Sequence, residues 1–303
     1  MRRRLKWLAV PALVVFVAGC AFYAVLSRTK GLVVPEHKYF QTDAGRALVI
    51  AHRGGAGLWP ENTLYAFERA SALGVDVIET DVRATADGEL ILFHDDGLER
   101  TTDGVGRVGA LTLAELKRLD AGYRFSPDGG RSFPHRGSGV TVPTLREVFK
   151  ALPHMRFNIE PKQSAPSLAA PLCRMIREHG MVDRVLVASF SGSVLEEFRR
   201  ECPEVATSAA TGEAVSFLSL HNAGLAASYS PAMQALQVPE YAVGLRVLTR
   251  DFVNAAHGRN LRVHAWTVNS EADMHRLVEM GVDGIMTDYP DRLLKVLGRP
   301  APR

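Results

Sequence analysis

The sequence predicts an α/β protein of the (β/α)8, or TIM, barrel class, and three observations predict it. Apolar, strand-like runs recur eight times along the body, beginning near residues 48, 77, 155, 185, 205, 235, 262 and 283. Helix-like stretches with capping signals lie between most neighbouring runs. The body, residues 47–298, has the usual length of such a barrel, ~250 residues. An open doubly wound sheet is the alternative for the same alternation.

The elements follow in order. Leu48 to His52 is the first apolar run. Asn62-Thr63 caps a helix reaching to about Leu73, with Leu64, Phe67, Ala70 and Leu73 on one stripe and Gly74 closing it. Val77 to Val82 alternates and is rich in β-branched residues, so it reads as a strand, and Leu90 to His94 reads as its returning arm. Between them Asp87-Gly88 suits a two-residue type I′ turn. That turn sets Asp81 opposite His94 and puts Glu79, Asp81 and His94 on one face. An insertion then runs over about residues 96–142. Within it Thr112-x-x-Glu115 is a capping box for a helix ending near Asp120, and Tyr123 to Val140, rich in Gly, Ser, Pro and Arg, reads as exposed. Thr144-x-x-Glu147 caps the next helix.

Met155 to Glu160 is a strand, Pro171 to His179 a helix and Arg184 to Ser189 a strand. Ser193-x-x-Glu196 opens a helix, Glu204 to Ala209 is a short strand and Phe217 to Ala223 is helical. Ala235 to Val238 is a strand, Thr249 to His257 a helix and Arg262 to Val268 a strand. Glu271 to Glu279 is a helix ended by Gly281. Ile285 to Thr287 is the last strand and Arg292 to Leu297 the last helix.

Residues 1–30 have a different character. Trp7 to Leu26 is 20 residues without a charge, preceded by M-R-R-R-L-K, long enough to span a bilayer as a helix. The excess of positive charge before the span keeps the N-terminus in the cytoplasm and sends the body across. A cleaved signal peptide is one rival. A bacterial lipoprotein, cleaved and lipidated at Cys20 in Val17-Ala18-Gly19-Cys20, is the other. An uncleaved transmembrane anchor ranks first because Ala21 to Leu26 stays apolar past the cysteine. In a bacterial host all three place the body on the extracytoplasmic, periplasmic side. Residues 31–46 read as linker and barrel entry. Beyond residue 30 the chain keeps 30 basic residues against 33 acids, a net −3, so nothing speaks for nucleic acid as a partner. Cys173 and Cys202 make no disulfide framework and are expected as two buried free thiols.

A barrel carries its chemistry at the C-terminal ends of its strands. There the sequence places His52-Arg53-Gly54, Glu79 and Asp81, Asn158, Glu160 and Lys162, Trp266 and Asn269, and Asp288, with His94 returning to the same level. Glu79, Asp81 and Glu160 offer hard oxygen ligands suited to Mg²⁺ or Ca²⁺. Arg53 and Lys162 suit an anion such as phosphate. His52 and His94 titrate near neutrality and suit acid and base roles. Together they describe metal-assisted phosphoryl transfer to water. A serine nucleophile at Ser189 lacks the Gly-x-Ser-x-Gly turn, no Cys/His zinc spacing exists, and a glycosidase leaves the cations and histidines unexplained.

The stretches A51-H-R-G-G, P60-E-N-T, E79-T-D-V, F93-H-D, R100-T-T-D-G, P143-T-L-R-E, N158-I-E-P-K, A265-W-T-V-N and G281-V-D-G-I-M-T-D-Y-P occur in this order. As a set they resemble the glycerophosphodiester phosphodiesterase family from about Leu48 to Leu297. The resemblance implies a (β/α)8 barrel and divalent-metal-dependent hydrolysis of a glycerophosphodiester to glycerol 3-phosphate and an alcohol. It implies His52 and His94 as the general acid/base pair and Glu79, Asp81 and Glu160 as ligands of one cation, Mg²⁺ or Ca²⁺. It further implies Arg53, Lys162 and Trp266 as substrate contacts. Glu61 matches an acid of the motif, and support of the helix start is its plainest role. The alternatives are lysophospholipase D-type or phosphatidylinositol phospholipase C-type action on membrane lipids, or a membrane-tethered barrel that binds diesters without turning them over. The presence of both histidines and all three carboxylates favours the enzyme.

Overall fold

The structure, a computed structural model, describes residues 17–41 and 45–299. Its elements in order are helix α1 (17–28), β1 (Leu48–Ala51), α2 (Leu64–Leu73), β2 (Val77–Ala84), β3 (Leu90–Leu92), α3 (Leu113–Leu116), α4 (Leu145–Ala151), β4 (Arg156–Pro161), α5 (Ala169–Glu178), β5 (Val185–Val187) and α6 (Gly192–Glu201). There follow β6 (Ala206–Thr207), α7 (Thr211–Asn222), β7 (Ala235–Val238), β8 (Tyr241–Ala242), β9 (Leu245–Arg246), α8 (Arg250–His257), β10 (Arg262–Ala265), α9 (Glu271–Met280), β11 (Gly284–Thr287) and α10 (Pro290–Val296). The parallel sheet runs β6-β5-β4-β2-β1-β11-β10-β7, and a parallel bridge from Ser208 to Ala235 brings its two ends together. This is the expected (β/α)8 barrel, with strands at all eight expected places.

Period-two alternation builds two cores from one set of strands. Val49, Ile78, Val82, Phe157, Ile159, Val263 and Ile285 point outward and pack under the helices. Leu48, Ile50, Val77, Leu186, Ala206 and Ala235 fill the lower barrel. Tyr39 and Phe40, from the stretch expected as linker, are buried against this lower layer and close the N-terminal end. The inward positions next above them on β2 and β4 are polar, and the register pairs Glu79 with Asn158 and Asp81 with Glu160. The barrel is therefore dry and apolar below and charged at its mouth.

The hairpin register differs from expectation by one residue. Val82 pairs with Leu92, Arg83 with Ile91 and Ala84 with Leu90. The loop holds three residues, because Thr85 and Glu89 still pair through the Thr85 amide and the Glu89 carbonyl at 3.0 Å. Thr85 Oγ1 donates to Asp87 Oδ1 at 2.6 Å and accepts from the Glu89 amide at 2.9 Å, which draws Asp87 into the loop. Gly88 alone takes the left-handed conformation, φ 84°. Phe93, not His94, thus lies opposite Asp81, its amide donating to the Asp81 carbonyl at 3.0 Å.

Other expectations need correction. Cys173 and Cys202 are joined as a disulfide, their Cα atoms 5.6 Å apart. The helix expected to run to Asp120 is the single turn α3, though its capping box from Thr112 to Glu115 is present. The cap of α6 is Ser191, two residues before the serine expected. Helix α7 starts at Thr211, six residues earlier than expected. The insertion is anchored by its own small core, Ile91, Phe93, Leu98, Val108, Leu116 and Val142, while 127–132 stay exposed. Of the expected membrane span, Trp7 to Phe16 lies outside the described residues, and 17–26 belong to α1. Among the described residues no helix is long and apolar enough to cross a membrane.

Candidate active site

One cavity of about 460 Å³ opens at the C-terminal end of the barrel. His52 and Arg53 reach it from the turn after β1, Glu79 and Asp81 from β2, Asn158 and Glu160 from β4, Lys162 from just beyond, and Trp266 from the end of β10. His94 also lines it. With the register shifted, His94 arrives from past the end of β3, not along the pleat. The structure therefore brings together the eight residues given acid–base, cation or substrate roles in the sequence, with Asn158 beside them, while Asn269 and Asp288, also expected at the mouth, do not line the cavity.

The turn after β1 holds the chain in unusual conformations. Arg53 has φ 50°, and Gly54 follows at φ 84° where any Cβ would stand 2.6 Å from the Phe67 ring. This geometry turns the Arg53 amide onto Glu79 Oε2 at 2.8 Å. Asn62, at φ 55°, is buried and has three tasks. Its Nδ2 donates to Asp81 Oδ2 at 2.9 Å, while its Oδ1 accepts from Thr80 Oγ1 and the Asp81 amide. Glu61 is not a helix-start acid. It accepts from Arg53 at 2.8 Å and from both terminal nitrogens of Arg100 at 2.6 and 2.7 Å.

Glu79 and Asp81 are buried and Glu160 nearly so, with oxygens of all three within 4.8 Å of one another. Burial, with the Asp81 charge beside it, pushes Glu79 up to about 7. Burial works the same way on Asp81, but Lys162 and Arg53 outweigh it and hold that carboxyl below its ordinary range. Burial also raises Glu160, against the pull of Lys162. Lys162 Nζ stands 3.1 Å from Asp81 and 2.8 Å from Glu160. A crowded set of hard oxygens, one of which keeps its proton near neutrality, fits a divalent cation such as Mg²⁺ or Ca²⁺.

Each cavity histidine has a carboxylate behind it. His52 Nδ1 lies 2.7 Å from Asp288 Oδ1, and Asp288 is held in turn by Asn269 Nδ2 at 2.7 Å. His94 Nδ1 lies 2.5 Å from Asp95 Oδ1, and Arg100 donates to the other Asp95 oxygen at 2.5 Å. A carboxylate at Nδ1 fixes the Nδ1–H tautomer and leaves Nε2 for chemistry. For His52, burial lowers the pKa, but Asp288 and Glu79 outweigh it and the net shift is upward. For His94, burial prevails over Asp95 and the net shift is downward. Asp95, Arg100, Asn62 and Gln237 are site residues that sequence reasoning missed. Asp95 stands next to His94 in the chain, a signal open to any reading that asks what orients the imidazole. Gln237 sits at an inward position of β7 and lines the cavity, where it bonds Asn158 and His264 at 3.2 Å each.

Fold and site together define a barrel hydrolase of phosphate diesters. Residues 52–292 match the Glycerophosphoryl diester phosphodiesterase family, and the chain belongs to that family. It is 34% identical to a glycerophosphodiester phosphodiesterase of Caldanaerobacter subterraneus subsp. tengcongensis, over 83% of this chain and 98% of that one. It is 35% identical to the glycerophosphodiester phosphodiesterase of Bacillus subtilis, over 83% of this chain and 86% of that one. A phosphodiesterase of Oleispira antarctica, solved in complex with its product sn-glycerol-3-phosphate, superposes with a TM-score of 0.69 at 28% identity, over 87% of this chain and all of that one. The chain is accordingly an enzyme that hydrolyses glycerophosphodiesters.

Proposed function

We propose that the chain releases glycerol 3-phosphate and an alcohol from glycerophosphodiesters with His52 and His94 as its acid–base pair and Glu79, Asp81 and Glu160 as ligands of one divalent cation. The observation that carries this reading is the shared cavity: two imidazoles, each backed by a carboxylate, line it together with a buried carboxylate cluster. When bound, the cation supplies Lewis-acid polarisation of the phosphoryl group. Arg53 and Lys162 add fixed positive charge for the anionic diester. One imidazole, neutral at Nε2, takes the proton from the attacking hydroxyl. The other, charged, gives a proton to the leaving alkoxide. Asp288 and Asp95 stabilise the imidazolium form and hold each ring in place. Trp266 offers a flat apolar wall to the substrate beside Phe190, the two rings 5.6 Å apart.

The test is hydrolysis of glycerophosphocholine by the purified chain. Chelation should abolish release of glycerol 3-phosphate, and added Mg²⁺ or Ca²⁺ should restore it. Full activity after chelation would end the metal part of the reading.

The proposed location is the extracytoplasmic side of a membrane, reached through the N-terminal segment. The uncharged Trp7 to Leu26 stretch behind its basic flank supports it. So does the disulfide, since such bonds persist in oxidising compartments. Fractionation with membranes, and digestion by protease added from outside, are the expected results. A mature N-terminus at Cys20 would establish the lipoprotein form, and recovery of the intact chain from the cytosol would overturn the location.

A further inference from the structure

One side chain outside the cavity touches the supports of both halves of the proposed chemistry. Arg100 does not line the cavity, and neither do its partners Asp95 and Glu61. Its Nε donates to Asp95 Oδ2 at 2.5 Å, and the other oxygen of that carboxylate stands 2.5 Å from His94 Nδ1. Its terminal nitrogens donate to the two Glu61 oxygens at 2.6 and 2.7 Å, and Glu61 Oε1 also accepts from Arg53 Nη1 at 2.8 Å. A planar guanidinium thus ties the carboxylate behind an acid–base histidine to the carboxylate behind a phosphate-binding arginine. The carboxylate behind His52 is held differently, by the neutral amide of Asn269.

The local sequence prepares Arg100 for this. Leu98 is buried in the core of the insertion, and its amide donates to the Gly106 carbonyl at 3.0 Å. Thr102, fully buried, bonds back to the Leu98 carbonyl through its hydroxyl at 2.8 Å and its amide at 3.1 Å. The same hydroxyl accepts from the Gly104 amide at 3.0 Å. Arg100 stands in the middle of this closed turn, so its stem is fixed before its fork engages.

Charge makes the tie more than a prop. Arg53 faces Glu61, and its Nε lies 3.3 Å from Asp81, so two carboxylates already draw on its charge. By taking both Glu61 oxygens, Arg100 neutralises one of them and leaves more of the Arg53 charge for an anionic diester. Without Arg100, Glu61 and Asp95 would stand against Arg53 alone, two negative charges against one positive. With it the group is neutral.

We propose that Arg100 is a positioning residue for the hydrolysis: through Asp95 it holds the His94 ring, and through Glu61 it leaves Arg53 available to the phosphate. Diester binding and turnover then depend on one guanidinium supplied by the insertion. The proposal rests on the phosphodiesterase reading of the cavity and adds to it a residue that touches neither substrate nor cation.

The experiment compares Arg100→Gln, Arg100→Lys and Arg100→Gly with the unaltered chain on glycerophosphocholine, at saturating Mg²⁺ or Ca²⁺. Arg100→Gln should lower kcat roughly 10- to 100-fold, the scale of a misplaced catalytic group. It should also raise KM roughly tenfold, the scale of one weakened charge-assisted hydrogen bond. Arg100→Lys should split the two effects. Its ammonium restores the charge beside Glu61 and so most of KM, but a point charge does not span both carboxylates, and kcat should stay low. Arg100→Gln added to Asp95→Ala should cost little further kcat while still raising KM. Guanidinium, at concentrations far below those that unfold proteins, should restore part of the kcat of Arg100→Gly, since the Arg100 side chain is 47% exposed and its place is open to solvent. Ammonium should not. Unchanged kcat and KM in Arg100→Gln would overturn the proposal. So would losses in all three variants that track a fall in folded protein and resist guanidinium, since Arg100 would then serve the fold alone. An unaltered chain inactive on glycerophosphocholine would refute the phosphodiesterase reading and the proposal with it.

Discussion

His264 and Glu79 both face the barrel interior, and their buried ionisations pull stability in opposite directions. His264 is fully buried, which lowers it to about 4 from an ordinary 6.5. Between these values the unfolded chain binds a proton that the folded chain does not. Stability is therefore lost as pH falls through that window, by roughly 3 kcal/mol in all. His264→Gln should remove this loss, read as a smaller drop in denaturant midpoint between pH 6.5 and 4. Glu79 has the reverse sign. Its pKa is raised from 4.5 to about 7 by burial and by Asp81, so the folded chain keeps a proton that the unfolded one gives up. Stability of the metal-free protein from this group falls as pH rises through that window. A cation replaces the proton, so binding should release one near pH 6 and tighten toward pH 8. Calorimetry in buffers of different ionisation enthalpy checks this. Glu79→Gln should bind the cation more weakly and release no proton from this site.

The elements show which parts of the site a sequence can carry. Strand alternation alone places Glu79, Asp81, Asn158 and Glu160 inward, since each stands two residues from the next on its strand. The register of the β2–β3 hairpin was not legible. It depends on the Thr85 hydroxyl, which accepts from the Glu89 amide and so widens the loop by one residue. His94 reaches the cavity despite the shift because β3 ends at Leu92, whose amide turns to the Pro143 carbonyl at 3.0 Å. The partners of Glu61 were equally hidden, because Arg100 comes from 39 residues away along the insertion. The disulfide depends on how α5 and the end of α6 pack, information that spacing does not hold. It closes a loop of 29 residues in sequence separation. Cys173→Ala with Cys202→Ala should cost about 2–4 kcal/mol, the usual range for such a cross-link. Urea unfolding of the oxidised protein and the double variant measures it, and equal midpoints would deny the bond a stabilising role.

At the scale of the whole molecule, the barrel was legible because eight apolar runs with capped helices between them leave few other ways to bury a core. The closure of its lower end was less so. Tyr39 and Phe40 precede the first strand and read as linker, yet they are buried against the lower layer of barrel side chains and close its N-terminal end. The same end receives the N-terminal segment, where Tyr23 Oη donates to the Ala223 carbonyl at 3.2 Å just past α7. The cavity lies at the other end. Segment and mouth thus occupy opposite faces, and the charged half of the mouth carries the chemistry.

That chemistry is tested most directly by changing the leaving group. His52→Ala and His94→Ala should each lower kcat on glycerophosphocholine by roughly 10²- to 10⁴-fold, the usual range for general acid–base catalysis. Cation affinity should hold within a few-fold, because the ligands are the carboxylates. On a nitrophenyl glycerophosphodiester, whose leaving group needs no proton, one variant should recover most of its loss and the other little, which assigns the acid and the base. Near-wild-type turnover of glycerophosphocholine by both variants would contradict the account.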